Sequence, residues 1–228
     1  QVPNFVLDIG SNDGSFLEIF KEQGFKVLGV EPSLEASKQA NNNGIPTIRK
    51  YFDLESANEI MKLHGNPGLI SVNYTLANVP DIKYFVENAV RLMDETSILS
   101  IVTGYHPDQF AVNMFDYIGH DHLTYLSVND FSNIADAHGL TILDANRYEH
   151  KGGSLHITLM KKNANLQSRQ TPNVIQLLQR ENWLGIGHRW YYSELAERID
   201  MAQIELLDYL RESAIDKIAG IGASISTT

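Results

Sequence analysis

The stretch "NFVLDIGSNDGSFLEIF", residues 4–20, decides the fold. A short apolar run ends at Asp8 and Gly10, as a buried strand does before a turn. Phe16, Leu17 and Phe20 then fall on one helical face, and Gly24 is placed to end that helix. The alternation repeats downstream. "FKVLGVE" (25–31) reads as a second strand and "SLEASKQANNNG" (33–44) as a second helix stopped by Gly44. "IPTIRKYF" (45–52) is a third strand or extended stretch, followed by the helix "LESANEIMKLHG" (54–65). "GLISVNYT" (68–75) and "SILSIVTG" (97–104) read as strands four and five. Between them "DIKYFVENAVRLM" (81–93) turns Phe85, Ala89 and Leu92 inward as a fourth helix. Strands alternating with helices of this length predict right-handed βαβ units around a parallel sheet.

The pattern changes after strand five. Residues 104–126 are long, polar and aromatic. "SVNDFSNIADAHG" (127–139) is a helix opened by Ser127 with Asp130 at capping-box spacing. "LTILDANRYEHKGGSLHITLMKK" (140–162) reads as two strands joined at Gly152–Gly153, an antiparallel pair closing the sheet. "NANLQSRQTPN" (163–173) is polar and linker-like. Residues 173–218 read as helices, the last over about Tyr191–Lys217, with Leu195, Ile199, Ala202, Leu206, Tyr209 and Leu210 at helical spacing. The expected organisation is therefore a core over 1–162, then a linker and helices over 163–228.

The bulk numbers bound the function. The 228 residues, 43% hydrophobic, can bury one large domain with an appendage. A net charge of −10 without a basic patch argues against nucleic acid and against an anionic membrane surface. No apolar run is long enough to span a bilayer. With no cysteine, disulfides and thiolate–zinc sites are excluded, and a cytoplasmic location is the expectation. Both ends read as interior points of a longer chain: the first enters a strand at once, and the last stops after the glycine-rich "KIAGIGASISTT".

The glycine turn carries the first candidate site. Asp8, Gly10 and Gly14 stand at the carboxyl end of strand one, where open α/β sheets bind ligands. Glu31 ends strand two, where a carboxylate can accept both ribose hydroxyls of an adenosine. The dinucleotide fingerprint is G-x-G-x-x-G, but here Asn12 replaces the middle glycine. Ser11, Asn12 and Asp13 crowd the place of a pyrophosphate, and Asp13 would repel it. A cofactor without phosphate that carries a sulfonium and an amino-acid tail suits this loop better, which points to S-adenosylmethionine rather than a nicotinamide dinucleotide. An ordinary glycine-bearing βα turn is the alternative.

"GHDH" (119–122) carries the second. A histidine with its ordinary pKa near 6.5 can take a proton at neutral pH, and a neighbouring carboxylate can raise that value and fix the tautomer. His120 and His122 in an extended segment would also point the same way, as metal ligands do, with His106 or Asp116 as a third. A solvated loop is the remaining reading. His64, His138 and His150 read as surface residues. Trp183, Trp190, Tyr191 and Tyr192, around "GIGHRWYY" (185–192), either cover a substrate or pack the helices.

The order "VLDIGSNDGSFL", "GVEPS", "NYTLANVPD", "TGYHPDQF", "FDYIGHDHLTYLS" and "KGGSLHI" resembles the S-adenosylmethionine-dependent C-methyltransferases of branched-deoxysugar biosynthesis, which act on nucleotide-linked keto sugars. The likeness covers most of the chain. It implies a class I methyltransferase fold, mostly parallel with a final antiparallel hairpin, and no metal at the site. By resemblance Asp8, Gly10, Asn12 and Gly14 line the methionine end of the cofactor, Glu31 holds the ribose, Pro32 and Phe52 lie near the adenine, and Asn73 stands close to the methyl donor. The family pattern His-Glu-His implies His122 as the base that removes a proton beside a ketone, Asp121 as its helper, and His120 as a pocket residue. Gly119 stands where the family often has tyrosine, which leaves Tyr117 or Tyr105 as substitutes. Lys151 and Ser154 would face the sugar from the hairpin, with an ordinary Gly-Gly turn as the alternative. The family carries a zinc-binding domain before the core and a second α/β domain beyond a turn like Gly220–Ala223, so weak turnover is expected of these residues alone. Two rivals remain: methyl transfer to oxygen or nitrogen of another small molecule, and a methyltransferase-like module that binds without catalysis.

Overall fold

The computed structural model describes residues 5–162, 170–213 and 217–219. Seven strands form one sheet in the order β3-β2-β1-β4-β5-β7-β6. The strands are β1 (Phe5–Ile9), β2 (Lys26–Val30), β3 (Thr47–Ile48), β4 (Leu69–Asn73), β5 (Ile98–Gly104), β6 (Leu140–Tyr148) and β7 (Ser154–Lys161). The first five pair in parallel, whereas β7 runs antiparallel to both β5 and β6. All five residues of β1 are buried, as a central strand covered on both faces requires. The helices are α1 (Ser15–Glu22), α2 (Leu34–Asn42), α3 (Leu54–His64), α4 (Ile82–Leu92), α5 (His106–Ala111), α6 (Val128–Ala137), α7 (Pro172–Leu184) and α8 (Arg189–Glu212). Among the described residues, no helix is long and apolar enough to cross a membrane.

Local chemistry explains most boundaries. The α6 capping box forms as the spacing predicts: the Asp130 backbone N–H donates to Ser127 Oγ, and Asp130 Oδ2 accepts from the Ser127 N–H at 2.8 Å. Asp53 opens α3 by the same device, with Ser56 as its partner. The apolar faces of α3 and α4 pack on one side of the sheet, where Ile60, Phe85, Ala89 and Leu92 meet Leu7, Ile9, Ile70 and Val72. A smaller cluster on the other side joins Leu17 and Ala40 to Val6 and Val27.

Four expectations need correction. The third strand shrinks to two residues, because only Thr47 and Ile48 reach the ladder of β2 at the sheet edge. The polar stretch after β5 is not all loop: residues 106–111 form α5, with Pro107 in its first turn. His64 and His138 are half-buried rather than at the surface, and His64 stacks on Phe5. On α8 only Leu195 of the spaced apolar residues is buried, while Leu206 and Tyr209 face outward. Most of the linker-like stretch (163–169) and the turn at 220–223 lie outside the described residues.

Candidate active site

The glycine turn is built on its backbone. Gly10 adopts φ 77°, and its N–H donates to the carbonyl of Val30 at 2.8 Å, tying the end of β1 to the end of β2. A Cβ at Gly10 would stand 2.1 Å from Thr75 Oγ1, so both conformation and space demand glycine. The Glu31 carboxylate braces this turn by accepting the Asn12 N–H at 3.0 Å and the Ser33 N–H at 2.8 Å. A carboxylate has about four acceptor positions, so capacity remains for ligand hydroxyls. Asp13, just before α1, accepts from the Ser15 N–H and hydroxyl, and those hydrogen bonds hold its carboxyl below the usual range. Negative charge thus stays on the loop.

Asp8 lies beneath, 3% exposed. It accepts from the Ser71 hydroxyl on β4, and Asn73 Nδ2 stands 3.4 Å from the same oxygen. Burial pushes its carboxyl up to about 7, against the lowering effect of Ser71 and Asn73 and with a small push from Glu31.

Over the ends of β1 and β2 opens a pocket of about 650 Å³. Its walls include Gly10, Pro32 and Phe52, together with Tyr51, Val79 and Tyr84. The mainly apolar lining suits an adenine ring, and the braced Glu31 suits a ribose. The donor set therefore fits an adenosyl cofactor with a cationic tail. Of the residues expected here, Gly10, Pro32 and Phe52 line the pocket, while Asp8, Glu31 and Asn73 support it from behind or beside. Asn12 is exposed on the turn with φ 51°, and Gly14 opens α1.

A second, smaller cavity of about 100 Å³ lies at the ends of β4 and β5, lined by Tyr74, Gln109, Tyr117, His122, Tyr125 and Lys151 among others. The segment 74–79 walls off the two spaces: Tyr74 and Ala77 line the small one, Thr75, Asn78 and Val79 the large one. The histidine loop is pinned to this partition. The Leu123 N–H donates to the Ala77 carbonyl at 2.8 Å, and Asn78 Nδ2 donates to the Asp121 carbonyl at 2.8 Å.

The three residues of "HDH" part company. His122 is half-buried in the cavity wall, whereas His120 and Asp121 are exposed. His122 Nδ1 lies 3.0 Å from the Tyr117 carbonyl oxygen. A carbonyl only accepts, so Nδ1 carries the proton and Nε2 keeps its lone pair. Tyr125 donates its hydroxyl to the same carbonyl at 3.1 Å, and the Tyr117 ring lies 4.9 Å from the His122 ring. The backbone of Tyr117, not the carboxylate of Asp121, orients this imidazole. Among the described residues, no group of three His, Asp or Glu side chains is arranged to hold a metal ion.

The remaining candidates divide similarly. Lys151 lines the small cavity, and Ser154 sits behind it, fully buried, 2.7 Å from the Tyr74 hydroxyl. Tyr105 lines neither pocket. It is fully buried and donates to Glu181 Oε1 at 2.8 Å, and burial pushes its phenol well above the usual value. Gly119 is half-exposed, and a Cβ there would meet only the flexible Asp121 carboxylate. Its backbone therefore does not require glycine. Sequence reasoning gave no role to Tyr74 and Gln109, although both lie in the blocks "NYTLANVPD" and "TGYHPDQF", nor to Val79 and Tyr84, whose apolar character reads equally well as core.

Two family descriptions match this chain: "Methyltransferase domain" over residues 1–145 and "C-methyltransferase C-terminal domain" over residues 149–228. Among curated proteins, the C-methyltransferase NovU of Streptomyces niveus is 29% identical over 222 residues. That match takes in 96% of this chain and 52% of NovU, so the chain spans about half the length of this relative. Among solved structures, the plantazolicin methyltransferase BamL in complex with a triazolic desmethylPZN analog and SAH superposes with TM-score 0.56 at 15% identity, over 72% of this chain and 79% of that one. A SAM-dependent methyltransferase from Archaeoglobus fulgidus gives TM-score 0.57 at 15% identity, over 69% and 86%. At such identity these likenesses concern the fold.

Proposed function

The chain belongs to the methyltransferase-domain family, and from that premise we propose that it is the core of an S-adenosylmethionine-dependent C-methyltransferase acting beside the ketone of a nucleotide-linked sugar. The relative NovU, a C-methyltransferase, supports carbon as the acceptor. The observation that carries the reading is His122: a half-buried imidazole with Nε2 free, in a cavity that shares the wall 74–79 with the glycine-turn pocket. The cofactor supplies an electrophilic methyl group when bound. We assign the cofactor-binding core to residues 1–162; of the residues that follow, α7 packs back on that core, with Val174 and Leu177 in its apolar cluster.

The roles follow from capacity. The turn at Gly10, Asn12 and Gly14 admits the cofactor backbone-close, and Glu31 offers its remaining acceptor positions to the ribose. Pro32 and Phe52 cover the adenine. His122 Nε2 takes the proton from the carbon next to the ketone, and the Tyr117 carbonyl stabilises the imidazolium through Nδ1–H. The bound cofactor would supply its methyl group to the resulting enolate carbon, with the sulfonium S–CH3 bond breaking and S-adenosylhomocysteine leaving. Asp121 acts at most through the local field, since its side chain is exposed.

Two measurements test this. Calorimetry with S-adenosylhomocysteine reads the cofactor pocket; a folded chain that does not bind it ends the proposal. Incubation with a thymidine-diphosphate-linked 4-keto-6-deoxyhexose in deuterium oxide reads the base. Deuterium entering beside the ketone, and not entering with His122→Ala, supports carbon transfer. Methylation of a hydroxyl or amine without such exchange selects transfer to oxygen or nitrogen instead.

A further inference from the structure

Tyr74 follows β4 with φ 51°, a left-handed conformation that a side-chain-bearing residue adopts only where its surroundings hold it there. Lys151, in the turn before β7, adopts φ 53°. Among the described residues only four non-glycine positions have positive φ, and these two meet at one cavity. The Lys151 ammonium lies 3.7 Å from the centroid of the Tyr74 ring, a close cation–π contact. The Tyr74 backbone N–H donates to the Val102 carbonyl at 2.7 Å, which extends the β4–β5 ladder while the side chain crosses to the hairpin.

Proton directions can be assigned along this crossing. Ser154 Oγ lies 2.7 Å from the His150 carbonyl oxygen and 2.7 Å from the Tyr74 hydroxyl. A carbonyl cannot donate, so the single serine proton goes to His150. The phenol proton of Tyr74 must then go to Ser154. The Tyr74 oxygen is left with lone pairs and no proton to offer the cavity. Nor does the chain relay protons, because it ends on a carbonyl.

The geometry points to Tyr74 as a specificity-determining residue: its oxygen accepts a hydrogen bond from a substrate hydroxyl beside the reacting carbon. Ser154 fixes that polarity, and Lys151 holds the ring in place. A substrate with hydrogen at that position leaves the phenol oxygen unpaired, which is costly in a confined site. This inference rests on the sugar reading above.

The test compares two probes on the full chain with S-adenosylhomocysteine present. One is the thymidine-diphosphate-linked 4-keto-6-deoxyhexose with a hydroxyl next to the ketone, the other its counterpart lacking that hydroxyl. Wild type should bind the first about tenfold more tightly, the discrimination one hydrogen bond commonly supplies. Tyr74→Phe should lose most of that preference; with S-adenosylmethionine in place of S-adenosylhomocysteine, the effect on turnover should fall mainly on KM. Ser154→Ala should weaken the preference although the phenol remains, because the phenol proton becomes free to turn into the cavity; a purely structural Ser154 would lower both affinities alike. A preference that survives Tyr74→Phe overturns the inference and leaves the sugar reading standing. So does a loss confined to kcat, which would mark an acid. If wild type binds S-adenosylhomocysteine but neither probe, the sugar reading fails, and this inference with it.

Discussion

The Tyr117 carbonyl oxygen stands 3.0 Å from His122 Nδ1, and that one contact gives the imidazole its tautomer. It separates two neighbours that the sequence pairs. His122→Ala should lower methyl transfer by about a hundredfold or more, the usual range for a general base. Asp121→Asn should lower it by only a few-fold, because an exposed charge is screened. Rates measured at saturating cofactor check both. Equal losses would return Asp121 to the role of helper.

Asp8 predicts a pH dependence. Its folded value of about 7 lies above the ordinary 3.8, so the folded protein binds the extra proton across that interval. Stability from this group is therefore fully present at the acid end and is lost as pH rises towards 7. A shift of that size corresponds to at most on the order of 4 kcal/mol. Asp8→Asn should gain stability on the wild type as pH rises from 4 to 7, as read by urea unfolding at several pH values. A constant difference would contradict the burial argument.

The same ionisation should couple to the cofactor. A cationic ligand above Asp8 favours the charged carboxylate, so affinity for S-adenosylmethionine should rise with pH through about 7. Asp8→Asn should flatten that profile, as calorimetry at pH 6 and pH 8 would show.

Gly10→Ala should damage both binding and fold. The new methyl group meets Thr75 Oγ1 at 2.1 Å, on a backbone at φ 77°. A destabilisation of about 1–3 kcal/mol is expected, with S-adenosylhomocysteine affinity down at least tenfold. Thermal unfolding and calorimetry on the same preparation separate the two effects.

Glu181 should matter to stability well away from the cofactor. Fully buried, it accepts from the Tyr105 hydroxyl, the Val128 and Asn129 N–H groups, and Asn129 Nδ2. It thus caps α6 and ties α7 to the end of β5. Glu181→Leu leaves those donors buried without a partner and should cost roughly 3–5 kcal/mol. Glu181→Gln keeps one acceptor and should cost less. Denaturant midpoints rank the variants.

The amino-acid sequence by itself determined the order of strands and helices and the closing hairpin, though not α5 or the shortness of β3. The apolar run into Gly10, the glycine that ends α1 and the Ser127–Asp130 box are local signals, decided within a few residues by backbone sterics and capping. It also determined that a carboxylate would end β2 and that histidines would follow β5. Tertiary structure alone decided what those groups do. Glu31 is turned towards the Asn12 N–H 19 residues away. Tyr105 reads as a pocket tyrosine but is spent on Glu181, 76 residues on, and Tyr74 draws its polarity from Ser154, 80 residues on. A side chain's identity states its capacity to donate or accept. Its partner is set by whichever chain segment the packing brings within 3 Å, and local sequence carries no record of that.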